Sequence, residues 1–123
     1  MARRLRVFVV DDVRDAAEML VSLLQAYGYE ASHVTDPRVA VETAKRFQPD
    51  IVLVDIGMPH INGYELAPLL RRALPERVRL IAVTAWGSEQ DRRHSKAVGF
   101  DQHLVKPVDD KTLRSTIDQL ATR

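Results

Sequence analysis

Side chains able to bind cations or transfer groups follow the apolar runs of this 123-residue sequence. Asp11 and Asp12 follow the first run and Asp55 the third, Thr84 closes the fourth, and Lys106 follows the fifth. Carboxylates are ligands for hard divalent cations, and a carboxylate can also act as a nucleophile. A lysine and a hydroxyl can bind phosphoryl oxygens. Residues of these types in one place would suit a metal ion and the transfer of a phosphoryl group.

The apolar runs predict five strands, at residues 5–10, 31–35, 51–54, 80–84 and 103–105. The first, third and fourth are almost continuous, which is typical of strands buried on both faces of a parallel sheet. Five helices are predicted, over 13–27, from the cap Asp36 to Pro49, over 63–74, from Ser88 to Gly99 and from near Asp109. Pro68 predicts a kink or a late start in the third helix. Alternating strands and helices predict an α/β, doubly wound (βα)5 fold.

The carboxyl ends of the strands form the ligand-binding edge of such a sheet, at the point where the strand order reverses. In the order 2-1-3-4-5, the first and third strands are neighbours there, which brings Asp11, Asp12 and Asp55 together. Strands lie about 4.8 Å apart, so the short Thr84 on the fourth strand reaches this cluster. The fifth strand is about 9.6 Å away, a gap that the long side chain of Lys106 closes.

Three carboxylates this close repel one another, and a pair about 5 Å apart costs about 3 kcal/mol at an effective dielectric constant of 20. The cluster therefore favours a divalent cation, and oxygen ligands favour Mg²⁺, with Mn²⁺ as a substitute. Asp55 stands alone on a central strand and is the predicted nucleophile that forms an aspartyl phosphate, while Asp11 and Asp12 hold the metal. Lys106 and the Thr84 hydroxyl would stabilise the equatorial oxygens of the transferring group.

Short motifs at these positions resemble the receiver domain of two-component response regulators, the CheY-like family. They are VVDD at 9–12, DIGMP at 55–59, NGYE at 62–65, VTA at 83–85, GFD at 99–101 and KP at 106–107. Each motif is weak alone, but their order and spacing are highly specific and span essentially the whole chain. One receiver domain is therefore predicted over residues 1–123. The resemblance implies a flavodoxin-like three-layer fold with strand order 2-1-3-4-5 and a phosphoacceptor function in a phosphorelay.

By position, Asp55 resembles the phosphoacceptor of the family, which takes a phosphoryl group from a histidine of a sensor histidine kinase or a histidine phosphotransfer protein. Asp12 resembles the direct metal ligand, and Asp11 resembles a ligand that acts largely through water. The backbone carbonyl of Gly57 would complete the protein's metal ligands. The domain is expected to catalyse only its own phosphorylation and slow dephosphorylation, not the turnover of an external metabolite.

Activation in the family couples a movement at the position of Thr84 to rotation of an aromatic ring three residues before the lysine. His103 occupies that position, so two hypotheses stand: a switch residue, or a partly exposed histidine without a special role. The output surface is expected on the fourth helix, fifth strand and fifth helix, for a downstream partner or a second copy of the chain. The resemblance also implies a cis Lys106–Pro107 bond. Residues 84–87 and 100–109 look most like receivers of hybrid histidine kinases, so a stand-alone protein and an excised domain are both open.

Simpler structural roles are open for several residues. Asp12 is expected to cap the first helix as well as to bind metal. Trp86 either covers the entrance of the site or packs on the fourth helix. Three basic residues of the fourth helix suit a solvated face or a partner surface: Arg92, Arg93 and Lys96. Three histidines lack metal-ligand spacing and are expected at the surface: His33, His60 and His94.

Composition excludes several classes of function. With 18 Lys and Arg against 17 Asp and Glu, the net charge of +1 provides no long-range field to attract nucleic acid or an anionic membrane. The absence of cysteine excludes disulfides, cysteine-ligated zinc, iron–sulfur clusters and a thiol nucleophile. No apolar run approaches the ~18 residues of a bilayer span. The basic start at residues 1–5 lacks the pattern of a secretory signal, so a cytoplasmic protein is expected.

Three other functions fit parts of the pattern. A metal-dependent phosphohydrolase with an aspartyl nucleophile usually has a second acidic residue two positions later, where this chain has Gly57. A flavin-binding module of similar topology needs a Ser/Thr/Gly phosphate loop after the first strand, where this chain has DDVRD at 11–15. A receiver-like module that binds partners without phosphorylation would not need the complete acidic set.

Overall fold

The computed structural model of the chain describes residues 4–121 and contains five strands: β1 (Arg6–Val10), β2 (Glu30–Val34), β3 (Ile51–Asp55), β4 (Arg79–Thr84) and β5 (Gln102–Val105). They form one sheet in the order β2-β1-β3-β4-β5, and every neighbouring pair is parallel. This arrangement confirms the predicted doubly wound topology. Residues 1–3 of the basic start, and residues 122–123 of the predicted domain 1–123, lie outside the described residues.

Five α-helices connect and follow the strands: α1 (Arg14–Ala26), α2 (Ala40–Phe47), α3 (Gly63–Ala73), α4 (Glu89–Val98) and α5 (Asp110–Ala121). Asp36 acts as the predicted cap, but it caps a short 3₁₀ turn, Pro37–Val39, that precedes α2. The start of α4 is fixed by a capping box between Ser88 and Asp91, and its end by Gly99 at φ 117°. The backbone at Gly99 is left-handed, a conformation that glycine adopts without steric cost.

Pro68 lies inside α3 and does not delay its start. The helix begins at Gly63 because Asn62 and Glu65 form a reciprocal capping box, in which each side chain accepts a hydrogen bond from the other residue's backbone N–H. This box satisfies two of the orphan donors of the first turn before the proline is reached. The expected late start is therefore wrong, and the loop before α3 stays short.

The sheet is covered on both faces. Helices α2 and α3 cover one face, with Leu66 and Leu70 of α3 fully buried against Val52 and Val54. Helices α1 and α5 cover the other face, where Leu53 of β3 packs. Because every residue of β3 is buried, the chain can place a functional side chain on this strand only at its carboxyl end. Within residues 4–121, no helix combines the length and apolar character that a bilayer span requires.

Candidate metal and phosphoryl site

Three carboxylates meet at the carboxyl ends of β1 and β3. Val10 of β1 pairs with Val54 of β3, so the residues that follow them, Asp11 and Asp55, lie at the same level of the sheet. Carboxylate oxygens of Asp11, Asp12 and Asp55 all lie within 4.8 Å of one another. Asp11 and Asp55 are buried, and Asp12 is half-buried. The structure thus brings the three predicted acidic residues together.

Lys106 closes the cluster from the far side of β4. Its Nζ lies 3.3 Å from Asp55 Oδ1 and 4.0 Å from Asp11 Oδ2. The backbone N–H of Lys106 donates to the Thr84 carbonyl at 2.8 Å, which fixes the two strand ends beside each other. The Lys106–Pro107 peptide is cis, as the family resemblance implies. The long side chain therefore bridges the separation that the strand order creates.

Thr84 is buried at the end of β4. Its Oγ1 accepts a hydrogen bond from the Trp86 backbone N–H at 3.2 Å. A hydroxyl that accepts in this way still has its own hydrogen to donate. Thr84 is therefore oriented by the loop that follows β4 and can supply one donor at the edge of the sheet.

The charges of the cluster are not balanced within the protein. Burial raises the pKa of the Asp55 carboxyl, and the negative charge of Asp11 raises it further. Lys106 and the Gly57 N–H, which lies 3.3 Å from Asp55 Oδ1, lower the pKa of Asp55 but do not reverse the shift. Among residues 4–121, Lys106 is the cation that contacts these three carboxylates, which leaves a net negative site made of oxygen donors. Such a donor set fits a hard divalent cation of the magnesium type.

Asp12 does not cap α1. The N-cap residue of α1 is Val13, and no side chain caps it. Asp11 instead accepts a hydrogen bond from the Val13 backbone N–H, with 3.0 Å between that nitrogen and Asp11 Oδ1. The expectation of a capping role for Asp12 is therefore wrong, and the geometry leaves its carboxylate beside those of Asp11 and Asp55.

Trp86 follows β4 by two residues and is half exposed, at 54%. A methyl group placed on Gly57 would lie 3.7 Å from the tip of the Trp86 ring. The indole therefore stands beside the turn that follows Asp55. This position favours the first of the two roles expected for Trp86, a partial cover of the site.

His103 is buried, at 8% exposure, and the expected partial exposure is wrong. Its Nδ1 lies 2.6 Å from Ser95 Oγ, and its Nε2 lies 2.8 Å from the Trp86 carbonyl oxygen. A polar ring can be buried here because both nitrogens have partners. Ser95 itself is fully buried on α4, and nothing in that polar stretch of sequence signalled it.

The remaining histidines differ in environment. His60 is exposed, in the turn before α3, with φ 69°. His94 is exposed and stacks on Tyr64, with ring centroids 3.9 Å apart. His33 on β2 is partly exposed, and its buried Nδ1 has no hydrogen-bond partner among residues 4–121. None of the three joins the acidic cluster.

Comparison with known proteins agrees with this geometry. The sequence profile described as "Response regulator receiver domain" matches residues 7–118. Protein PilH of Pseudomonas aeruginosa is 32% identical over 114 residues, which span 92% of this chain and 94% of PilH. The autoinducer 2 sensor kinase/phosphatase LuxQ of Vibrio cholerae is 32% identical over 94% of this chain but only 14% of LuxQ.

A solved structure shares the whole architecture. The chemotaxis protein CheY4 of Vibrio cholerae, crystallised at pH 4.0, has a TM-score of 0.89 and 28% identity, covering 96% of this chain and 99% of that chain. The match therefore covers nearly the whole fold, a parallel sheet in the order β2-β1-β3-β4-β5 with its five helices. The chain belongs to the response regulator receiver domain family of two-component signalling.

Proposed function

We propose that this domain is the phosphoacceptor module of a two-component phosphorelay, with Asp55 as the residue that is phosphorylated. The observation that carries the proposal is the convergence of three carboxylates and one lysine at the same sheet edge, with Lys106 3.3 Å from Asp55. The donor would be a phosphohistidine of a sensor histidine kinase or a histidine phosphotransfer protein. The reaction would take place in the cytoplasm, the compartment expected from the sequence.

In the proposed reaction, a carboxylate oxygen of Asp55 attacks the phosphorus atom and forms a P–O bond. The P–N bond to the donor imidazole breaks, and its electron pair stays on the imidazole nitrogen, which takes a proton from solvent. Lys106 holds the attacking carboxylate and donates to a phosphoryl oxygen. The Thr84 hydroxyl donates its hydrogen to another. Donors placed in advance at these oxygens stabilise the charge of the transition state.

The residues that would hold Mg²⁺ are Asp11, Asp12, Asp55 and the backbone carbonyl of Gly57. When bound, the ion would neutralise the carboxylates and polarise the phosphoryl oxygens. The raised pKa of Asp55 supports this assignment, because it reflects first the burial of the carboxylate and then the negative charge of Asp11, and a bound cation would offset both. Dephosphorylation would follow when water attacks the phosphorus, which returns the Asp55 carboxylate and releases inorganic phosphate.

An apolar groove beside the site supports a protein as donor. It has a volume of about 530 Å³ and opens where Asp11 and Lys106 line its wall. Its other walls are mainly apolar side chains of α1, α5 and the segment before α5: Met19, Leu20, Leu23, Val108 and Leu113. Met19 is 73% exposed and belongs to this contiguous apolar lining, a kind of surface that often marks a protein-interaction site. We assign this groove to the donor protein, and the surface of α4, β5 and α5 to a downstream partner or a second copy.

The test is modification of the purified protein by acetyl phosphate with Mg²⁺, followed by intact mass. Wild type is expected to gain one phosphoryl group, and Asp55→Asn none, because the amide is not a nucleophile. Asp36→Asn is the matched control, since Asp36 follows strand β2 outside the acidic cluster, where it caps a turn and pairs with Arg38. Equal modification of wild type and Asp55→Asn contradicts the proposal, and steady turnover of a generic phosphate ester supports the phosphohydrolase instead.

A further inference from the structure

The loop between β4 and α4, residues 85–88, is held by side chains from two other elements. The Nε2 of His103 on β5 donates to the Trp86 carbonyl oxygen at 2.8 Å. The Nε of Arg92 on α4 donates to the Gly87 carbonyl oxygen at 3.4 Å, and its Nη1 donates to the His103 carbonyl oxygen at 3.2 Å. The loop also packs on β5 directly, because a methyl group on Gly87 would lie 2.6 Å from Val105 Cγ2.

The hydrogen bonds of His103 fix which ring nitrogen faces the loop. The Trp86 carbonyl can only accept, so Nε2 bears a hydrogen and donates it. The Nδ1 is hydrogen-bonded to the Ser95 hydroxyl of α4, at 2.6 Å. From its position on β5, the His103 ring therefore connects the loop to α4. Rotation of the ring away from Trp86 and Ser95 would break both hydrogen bonds.

The same loop orients the reacting edge of the sheet. The Trp86 N–H donates to Thr84 Oγ1, and the Trp86 ring stands beside Gly57 in the turn after Asp55. The two backbone groups of Trp86 thus have different roles, because its N–H orients the Thr84 hydroxyl while its carbonyl is held by His103. A displacement of the loop toward or away from Asp55 must move His103 and Arg92 or break their hydrogen bonds.

We propose that Arg92 and His103 are positioning residues: they hold the 85–88 loop by the Trp86 and Gly87 carbonyl groups, fix Trp86 and the Thr84 hydroxyl beside Asp55, and transmit displacement of this loop to α4. The transmission rests on the proposed phosphoacceptor function, whereas the holding of the loop does not. In this chain, the hydrogen bonds of His103 and Arg92 would take the place of the aromatic-ring rotation of the family. The loop, His103 and Arg92 would then move together.

The first test needs no phosphoryl chemistry. Trp86 is the single tryptophan of the chain, so its time-resolved fluorescence anisotropy reports the mobility of the loop. Arg92→Met removes the bonds to Gly87 and His103, and we expect the fast local component of the decay to rise about twofold. Arg93→Met is the matched control, because the neighbouring Arg93 is exposed and contacts Glu89 instead. An equal decay in the two variants overturns the proposal.

His103→Leu and His103→Gln address the ring itself. Leu fills the buried space without hydrogen bonds and is expected to loosen Trp86, whereas the Gln amide keeps a donor for the Trp86 carbonyl and is expected to restore at least half of the wild-type anisotropy. Equal loosening in both variants speaks against a hydrogen-bonding role. Arg92 lies on the surface of α4, so Arg92→Met is expected to fold. If the variants of the buried His103 do not fold, the comparison of Arg92→Met with Arg93→Met still tests the proposal.

The second test adds beryllofluoride with Mg²⁺ and follows the amide NMR shifts of α4. Wild type and Arg93→Met are expected to shift both at the Trp86 indole and along α4. Arg92→Met is expected to keep the indole shift and to lose at least half of the α4 shifts. Retention of the α4 shifts in Arg92→Met overturns the transmission. A wild type that does not respond overturns the proposed function, and the anisotropy comparison then decides the holding of the loop.

Discussion

The negative charge of Asp55 is only partly compensated at the site. Its carboxylate lies within 4.8 Å of those of Asp11 and Asp12, and a single ammonium offsets the repulsion. At an effective dielectric constant of 20, one such carboxylate pair costs about 3 kcal/mol before Lys106 is counted. The site therefore stores unfavourable electrostatic energy in the absence of a divalent cation, as functional sites commonly do.

This repulsion predicts that Asp55→Asn stabilises the metal-free protein. Removing one charge is expected to raise the free energy of unfolding by about 1 kcal/mol at neutral pH, because the Asn side chain fills the same space. Urea unfolding in a chelating buffer measures the difference, and the gain should shrink when millimolar magnesium is added to wild type. A variant less stable than wild type in the chelating buffer would show that the carboxylate is compensated within the protein.

Lys106 is predicted to act on the rate of modification. Lys106→Met keeps most of the length of the side chain and removes its charge, and it is expected to slow phosphorylation by acetyl phosphate about 100-fold, the usual effect of losing one transition-state donor. Lys106→Arg restores a cation and should recover part of the rate. Rates within about twofold of wild type for Lys106→Met would exclude the proposed role.

At the scale of elements, the sequence predicted most strand and helix boundaries to within one residue, because each has a strong local cause. The apolar run of β3 ends at the charged Asp55, and the capping box at Ser88 fixes the start of α4. The position of the site could be predicted from these boundaries. Side chains at the carboxyl ends of parallel strands lie at the same edge of the sheet, whatever the sequence of the connections between the strands. At the end of β3 and the start of α4, the local sequence therefore predicts the same boundary that the folded structure has.

The failed prediction for His103 concerns a side chain whose partners lie far away in the sequence. His103 is buried because Ser95 and the Trp86 carbonyl, 8 and 17 residues away, satisfy its ring. The sequence of β5 contains no sign of those partners. Asp12 was expected to cap α1, but α1 begins without any side-chain cap. The local pattern therefore predicts where α1 begins. It does not predict which of the neighbouring residues Asp11 and Asp12 accepts the backbone hydrogen bond there.

The contact between α3 and the end of β3 predicts that alanine is tolerated much less well at Gly63 than at Gly57, as measured by the free energy of unfolding. A methyl group on Gly63 would lie 2.6 Å from Ile56 Cδ1 and 2.8 Å from the Asp55 backbone oxygen, so the backbone that carries Asp55 would have to shift. Gly63→Ala is expected to cost at least about 2 kcal/mol of unfolding free energy.

Gly57→Ala is the matched control for Gly63→Ala. Its nearest neighbour is the Trp86 ring at 3.7 Å, an ordinary contact distance, so we expect a change within about 0.5 kcal/mol. Urea unfolding of both variants makes the comparison. If the two substitutions cost the same, the close approach of α3 to the end of β3 does not hold the site in place.

At the scale of the whole molecule, charged side chains are arranged differently at the amino and carboxyl ends of the sheet. At the amino end, charges pair within the protein: Arg6 contacts Glu30, and Asp50 accepts from the Arg6 backbone N–H at 2.8 Å and from Arg77 at 2.9 Å. At the carboxyl end, the Asp11, Asp12 and Asp55 cluster has Lys106 as its cation within hydrogen-bond range among residues 4–121. The charges named at the amino end are thus paired within the protein, whereas the acidic cluster at the carboxyl end keeps excess negative charge that a cation would neutralise.

That contrast predicts the response of global stability to magnesium. A ligand that binds only the folded state at about ten times its Kd adds about 1.4 kcal/mol, or about 5 °C in Tm for a domain of this size. Wild type should show this rise at constant ionic strength and lose it in a chelator. Asp12→Asn removes a half-buried ligand and should respond weakly, whereas Asp36→Asn should respond like wild type. An equal rise in all three would place magnesium elsewhere, because Asp12 belongs to the acidic cluster and Asp36 does not.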